Sequence, residues 1–213
     1  MASEKIRNPH TDHLITPENS AVLIIDYQPV QVSSIRSMRQ DELVFNITGI
    51  AKLAKNYGVP VIHTAVNLAT GRNKPPIQEL QDILGDVPVI DRTSINAWED
   101  AEFKQAVKAL GRRKLIMAAL WTEVCLVYPA LDALKEGYEV YVPVDAVGGT
   151  SVTAHEAGLR RIEQAGGIAS SRVQLYCEYQ RDWNRETTIP GFMDVFESYD
   201  GFNPEKAAAA SAA

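Results

Sequence analysis

The chain has 213 residues, of which 46% are hydrophobic and 23% are charged, and it carries a formal net charge of −6. This length suits one well-buried core, whereas the acidic balance argues against a nucleic-acid partner and against binding to an anionic membrane surface. No apolar run approaches the roughly 18 residues of a membrane-spanning helix, and residues 1–9 lack the apolar core of a secretory signal, so we expect a cytoplasmic protein.

Short apolar runs alternate along the chain with longer stretches of helical spacing. The runs predict strands at residues 21–25, 59–63, 87–90, 114–119, 138–142 and, more weakly, at Ile168 together with 173–176. Apolar residues at helical spacing follow at 43–54, 103–110, 126–134 and 157–165, and a glycine comes after each stretch. Short runs rich in Val and Ile are typical of buried parallel strands, and glycine commonly ends a helix. Repeated strand–helix units predict an α/β fold with a parallel sheet.

The ends of the chain differ in composition from its middle. Residues 1–19 are polar and contain prolines, which predicts an extended arm; residues 20–198 form one predicted domain; and the alanine-rich residues 199–213 predict a flexible tail. Residues 181–184 with Phe192 and Phe196 carry enough apolar surface to pack on a neighbouring copy of the chain. The same aromatic side chains fit equally well against the chain's own core.

Ligands of open parallel sheets bind at the carboxyl ends of the strands, so the residues after each predicted strand are the candidates for chemistry. Asp26 follows the first strand, and no glycine occurs between it and Arg36. A dinucleotide site needs glycines there, because only glycine lets the backbone approach a pyrophosphate, and we expect no such cofactor. Asp26 is either the cap of the next helix or a catalytic carboxylate.

Cys125 follows the fourth predicted strand, in or near the first turn of a helix. The free N–H groups of that turn favour a thiolate, although most free cysteines are small buried hydrophobes. Arg92 follows the third strand, where it either holds a carboxylate and a thiolate by charge or lies in solvent. The other cysteine, Cys177, has no comparable setting. A single disulfide between the two stays open, but a reducing compartment favours free thiols.

Several other motifs are incomplete. Gly148-Gly149-Thr150-Ser151 lacks the lysine of a phosphate-binding loop, and His155-Glu156 lacks the second histidine of a zinc protease. The four histidines share no ligand spacing, and the sequence has no G-x-S-x-G elbow of a serine hydrolase. We therefore expect neither a nucleotide cofactor nor a catalytic metal.

Together these segments resemble the isochorismatase-like cysteine hydrolases, a family that includes nicotinamidases. Leu23-Ile-Ile-Asp-Tyr-Gln28 is similar to the family's D-x-Q after strand one, and Thr122-Glu-Val-Cys125 is similar to its T-[DE]-x-C. Ile95-Asn-Ala-Trp98, Pro129-Ala-Leu131 and Arg181-Asp-Trp183 are similar to the YcaC-like branch of the family. The resemblance runs from about residue 20 to residue 183.

The resemblance implies a three-layer αβα fold whose six-stranded parallel sheet has the order 3-2-1-4-5-6, Rossmann-like but without the dinucleotide motif. It also implies a catalytic triad of Asp26, Arg92 and Cys125, in which arginine replaces the family's lysine. Arginine stays charged at any working pH, so Arg92 can stabilise an anion but cannot shuttle a proton. Members of the family are commonly oligomeric, and we expect a homo-oligomer.

Further site residues are implied by the same resemblance. Backbone N–H groups of Trp121 and Cys125 would form an oxyanion hole beside a cis peptide bond between Leu120 and Trp121. Substrate contacts are expected from Gln28, Asn96 and Trp98. Residues 64–71 lack the D-x-H metal ligands of nicotinamidases, so neither a metal nor nicotinamide is expected.

These observations predict a cysteine hydrolase that cleaves a small amide or related acyl compound through a thioester, with Asp26 as base and acid. Two alternatives remain. One is an isochorismatase-type hydrolase of a vinyl ether, in which Cys125 is dispensable; the other is a catalytically silent scaffold or small-molecule binder. A receiver-type phosphoacceptor domain would need a lysine after strand five, where Val144-Asp-Ala146 has none.

Overall fold

The computed structural model describes residues 7–197. Its six strands are β1 (Ser20–Ile25), β2 (Val61–Val66), β3 (Val89–Arg92), β4 (Lys114–Ala119), β5 (Glu139–Pro143) and β6 (Ile168–Ser170). All neighbouring strands are parallel, and their order in the sheet is β3-β2-β1-β4-β5-β6. The two central strands, β1 and β4, are buried along their whole length, as their apolar runs require. The predicted fold and strand order are confirmed.

Helices flank this sheet and follow most of its strands. Within residues 7–197 the α-helices are α1 (Pro29–Ser33), α2 (Gln40–Tyr57), α3 (Gln78–Leu84), α4 (Ala101–Ala109), α5 (Val127–Lys135), α6 (Val152–Gln164), α7 (Arg172–Gln180) and α8 (Ile189–Glu197). The four stretches of helical spacing correspond to α2, α4, α5 and α6. Helix α2 packs against α3, α7 and α8, while α5 packs against α6. Within residues 7–197 no helix combines the length and apolar character needed to span a bilayer; the cytoplasmic location stays a prediction.

The sixth strand is shorter than predicted, because residues 173–176 belong to α7. The side chain of Ser171 caps this helix by accepting a hydrogen bond from the N–H of Gln174 (3.2 Å). Both carboxylate oxygens of Asp145 accept the N–H of Arg172, at 2.9 and 3.0 Å. A cap and a carboxylate at the first turn stabilise a helix. The predicted strand at 173–176 is therefore wrong, and its apolar residues are buried by helix packing instead.

The segment from Asp12 to Asn19 packs on the domain, with contacts to α7, whereas most of residues 7–11 are exposed. Asp12 forms an ion pair with Arg181 at the end of this helix (3.1 Å), and the N–H of Ile15 donates to Glu178 Oε2 (2.8 Å). The side chain of Ile15 is completely buried. This segment of the predicted arm is thus packed structure. The predicted tail, residues 199–213, lies outside the described residues, and the domain boundaries stay predictions.

The aromatic residues near the end of the domain divide between the chain's own core and its surface. Phe192 on α8 is only 2% exposed and joins the chain's own core. Its ring stacks on that of Phe196 with centroids 4.9 Å apart, and it contacts Trp183 edge to face at 5.2 Å. Trp183 itself stays 64% exposed, so a large apolar side chain remains on the surface of this segment.

Candidate active site

Asp26 and Arg92 meet at the carboxyl edge of the sheet. Asp26 directly follows β1, and its backbone N–H donates to the carbonyl of Thr64 on β2 (3.1 Å). Arg92 ends β3; its Nη2 donates to Asp26 Oδ2, and its Nη1 donates to the carbonyl oxygen of Ser94. Both charged side chains are fully shielded from solvent. They form a buried ion pair in which each charge compensates the other.

Cys125 lies beside this ion pair, where the strand order of the sheet reverses between β1 and β4. It occupies a π-helical turn, Thr122–Leu126, between β4 and α5, and it is 8% exposed. The Asp26 carboxylate and the backbone N–H of Trp121 both lie near enough to the Cys125 thiol to shift its pKa. The peptide bond between Leu120 and Trp121 is cis, as expected. The structure thus brings Asp26, Arg92 and Cys125 together; their catalytic roles and the oxyanion hole stay predictions.

Burial dominates the protonation of this group. It raises the pKa of Cys125 to about 12, with a further contribution from the negative charge of Asp26, while Arg92 and the Trp121 N–H oppose the shift. Burial also raises the pKa of Asp26, outweighing the lowering effects of Arg92 and of the thiol. The proton therefore rests on the sulfur. The expected thiolate at a helix start is absent in the resting site, because desolvation is the larger effect.

Gln28 is buried and contacts only protein backbone. Its Nε2 donates to the carbonyls of Val66 (3.0 Å) and Lys74 (2.7 Å), and its Oε1 accepts the N–H of Val66 (3.0 Å). Both amide donors are used. These hydrogen bonds fix the loop that follows β2, and a contact between Gln28 and the substrate stays a prediction.

Asn96 and Trp98 link the loop after β3 to α5. Asn96 Oδ1 accepts the N–H of Trp98 (3.0 Å), and Asn96 Nδ2 donates to Asp132 on α5 (2.8 Å). The indole N–H of Trp98 donates to Glu136 directly after α5 (3.0 Å), and both residues are buried. The predicted substrate contacts of these two residues stay predictions.

A polar cluster next to Cys125 was not predicted from the sequence. Thr122 Oγ1 and His155 Nδ1 lie 2.8 Å apart, and Glu123 Oε1 accepts both the N–H and the hydroxyl of Thr150, at 3.0 and 2.7 Å. The sequence drew attention to His155 only as part of an incomplete zinc motif. The signal that would have found the cluster is the presence of polar residues after two adjacent strands, β4 and β5.

The same edge of the sheet carries exposed apolar side chains. These are Val30 (54% exposed), Ile95 (62%), Tyr128 (38%) and Val152 (52%). They follow β1, β3, β4 and β5 respectively, so they border the edge at which Cys125 lies. Within residues 7–197, no group of three or more His, Cys, Asp or Glu side chains is arranged to hold a metal ion.

A six-stranded parallel sheet of this order, with a buried thiol and carboxylate at its switch point, defines the class of isochorismatase-like α/β proteins. An isochorismatase domain matches residues 20–174, and the chain therefore belongs to the isochorismatase family of hydrolases.

The relatives place it in the YcaC-like branch. The chain is 34% identical over 198 residues to the probable hydrolase YcaC of Escherichia coli, covering 88% of this chain and 95% of the relative. A structure of YcaC from Pseudomonas aeruginosa with hexane-2,5-diol and covalent acrylamide has a TM-score of 0.84 and 32% identity, covering 95% of this chain and 98% of the other. The E. coli YcaC structure, described as an octameric hydrolase of unknown specificity, has a TM-score of 0.78 and 33% identity, covering 90% and 98%.

Proposed function

We propose that this protein is a cysteine hydrolase that cleaves a small, uncharged amide or related acyl compound through a thioester on Cys125. The observation that carries the proposal is the placement of Cys125, in the turn after β4, beside the buried ion pair of Asp26 and Arg92, where thiol and carboxylate shift each other's pKa. A base with a raised pKa beside a protonated nucleophile is the arrangement that general-base activation needs.

The proposed reaction moves one proton back and forth at Asp26. Asp26 takes the proton from Cys125 as the sulfur attacks the carbonyl carbon, and the N–H groups of Trp121 and Cys125 hold the oxyanion. The tetrahedral intermediate expels the amine, which Asp26 protonates, and a thioester remains. Water then attacks the thioester while Asp26 takes its proton; the second tetrahedral intermediate expels the Cys125 sulfur, Asp26 returns the proton to it, and the acid leaves. Arg92 keeps Asp26 in place and takes no part in proton transfer, since its guanidinium does not lose a proton.

One relative supports a reactive nucleophile in this branch. The P. aeruginosa YcaC structure contains covalent acrylamide, a small uncharged electrophilic amide. With 32% identity and a TM-score of 0.84, that protein is similar enough in sequence and fold to make the comparison informative for Cys125.

The surroundings of the thiol favour an uncharged substrate over a vinyl ether of the isochorismate type, which carries carboxylates. The buried guanidinium of Arg92 is already paired with Asp26 and with the carbonyl of Ser94. The side chains that border this edge, such as Ile95 and Val152, are apolar and exposed. Neither feature compensates the negative charge of an anionic substrate.

The test compares Cys125→Ala with Cys177→Ala on a panel of small uncharged amides and thioesters. We expect Cys125→Ala to lose at least about 100-fold in turnover, Cys177→Ala to match the wild type, and quenched wild-type reactions to show the acyl mass on Cys125. Turnover that survives in Cys125→Ala would favour the vinyl-ether alternative. Absence of both turnover and acylation across the panel would favour the catalytically silent binder.

We also propose that the protein is a homo-oligomer. The E. coli relative is described as octameric, and Trp183 leaves a large apolar side chain 64% exposed on this chain. Light scattering of the purified protein should give a mass of several copies, and Trp183→Ala should lower it. A monomeric wild type would contradict the proposal.

A further inference from the structure

Helix α6 is joined to the turn that contains Cys125 by a partly buried side-chain hydrogen bond. His155, on the first turn of α6, places its Nδ1 2.8 Å from the hydroxyl oxygen of Thr122. Thr122 is completely buried and begins the π-helical turn that contains Cys125. A hydrogen bond in such a site is electrostatically stronger than in water, so this contact is suited to hold the start of the turn in one orientation.

The backbones of α6 and of the nucleophile turn also touch directly. A Cβ atom added to Gly158 would lie 3.0 Å from the Cα of Glu123 and 3.2 Å from the carbonyl carbon of Thr122. Gly158 is three residues after His155, and residues at this spacing lie on one face of a helix. The absent side chain of Gly158 therefore brings α6 close enough for His155 to reach Thr122.

The peptide group between Trp121 and Thr122 is held from both sides. The carbonyl of Trp121 accepts the N–H groups of Val124 (3.1 Å) and Leu126 (3.2 Å), and the N–H of Thr122 donates to the carbonyl of Gly148 (2.9 Å). The N–H of Trp121, in the next peptide group toward β4, lies near enough to Cys125 to oppose the rise of its pKa. A shift of Thr122 would move Trp121 and, with it, this N–H.

The burial of His155 suits a neutral hydrogen-bonding role. Burial lowers the pKa of His155, while the neighbouring carboxylates of Glu123 and Glu156 oppose that shift. A neutral imidazole has one donor and one acceptor nitrogen, so Nδ1 can pair with a hydroxyl in either direction.

We propose that His155 is a positioning residue: through Thr122 it holds the backbone N–H of Trp121 in place for the oxyanion formed during attack by Cys125. This inference rests on the proposed cysteine hydrolase function and adds a residue to it. His155 touches neither the sulfur nor the substrate.

The experiment compares two reactions of the same thiol. Acetylation of Cys125 by p-nitrophenyl acetate passes through an oxyanion, whereas alkylation by iodoacetamide does not. The ratio of the acetylation rate to the alkylation rate therefore reports on the oxyanion hole. Changes in how easily a reagent reaches the thiol affect both rates and cancel in the ratio. We expect His155→Leu to lower this ratio about tenfold, less than the roughly 100-fold loss seen when an oxyanion donor itself is removed. His155→Asn should restore most of it, because the asparagine amide lies where Nδ1 does.

Controls separate positioning from general damage. Cys177 in the same molecule is exposed, and its ratio, read by peptide mass spectrometry, should be equal in all variants; the exposed neighbour variant Glu156→Gln should behave as wild type. An unchanged Cys125 ratio in His155→Leu would overturn the inference while the hydrolase proposal stands. A wild-type Cys125 ratio no higher than that of Cys177 would overturn both. If His155→Leu does not fold, Thr122→Val against Thr122→Ser makes the same comparison.

Discussion

The guanidinium of Arg92 and the carboxylate of Asp26 form an ion pair in which neither side chain is exposed to solvent, although 66 positions separate them in the sequence. The pair links the ends of β1 and β3 across the intervening strand β2. It also provides the carboxylate that faces Cys125. Stability and the proposed proton transfer therefore depend on the same two groups, and separate measurements can distinguish the two effects.

Asp26→Asn should destabilise the fold strongly, because it leaves the charge of Arg92 buried without a counter-ion. The expected loss in the free energy of unfolding is about 3–5 kcal/mol, measured by urea denaturation. The matched control is Asp41→Asn, which removes the carboxylate of an exposed ion pair with Arg39 and should change stability little. Equal losses in the two variants would contradict the buried ion pair.

The same Asp26→Asn substitution should change the rate of Cys125 alkylation and the rate of substrate hydrolysis in opposite directions. Because the charge of Asp26 contributes to the raised pKa of Cys125, its removal should lower that pKa and accelerate iodoacetamide alkylation of Cys125 at pH 8. Hydrolysis should fall by about 100-fold or more, because the general base is lost. Intact-mass and peptide analysis would follow both, with Cys177 as the reference thiol. Slower alkylation in the variant would mean that the carboxylate itself activates the resting thiol.

His63 should make the fold sensitive to acid. Burial on β2 lowers its pKa from 6.5 to about 4, so the unfolded chain binds more protons between these values and stability falls as pH drops through that window. Between pH 7 and pH 4.5 this group should cost about 2 kcal/mol. His63→Leu should lose correspondingly less stability over the same range in urea titrations, and parallel losses in both proteins would refute the assignment.

Gln28→Ala should loosen the loop after β2. The substitution removes three hydrogen bonds to the backbone of Val66 and Lys74, and leaving such groups unpaired should cost about 3 kcal/mol. Gln78→Ala is the matched control, since that exposed side chain makes one hydrogen bond, to Asp82, and should change stability by less than about 0.5 kcal/mol. Limited proteolysis should cut the loop at residues 67–76 faster only in Gln28→Ala.

The sequence was sufficient to predict the sheet and the positions of the reactive groups. Apolar runs gave the strands, and the rule that ligands bind at strand carboxyl ends singled out Asp26, Arg92 and Cys125. The protonation of Cys125 was beyond the sequence, because it depends on burial and on a carboxylate 99 positions away in the chain. A helix start alone suggested a thiolate; the tertiary fold decides otherwise.

Side-chain partners were the least predictable feature. Gln28 and Asn96 belong to recognisable motifs, but an amide pairs equally well with a ligand or with backbone groups, and only the fold shows that backbone and Asp132 hold them. The predicted strand at 173–176 failed for a related reason. A short apolar run fits a strand or a helix, and the Ser171 cap together with the distant Asp145 selects the helix.

The proton held on the Cys125 sulfur also bears on resistance to oxidants. Peroxides attack thiolates, and oxidation to sulfenic acid begins from that form. A sulfur that is 8% exposed and has a pKa of about 12 is a poor target for such reagents. Desolvation should thus slow the oxidation of Cys125, and we expect peroxide to react first with the exposed Cys177.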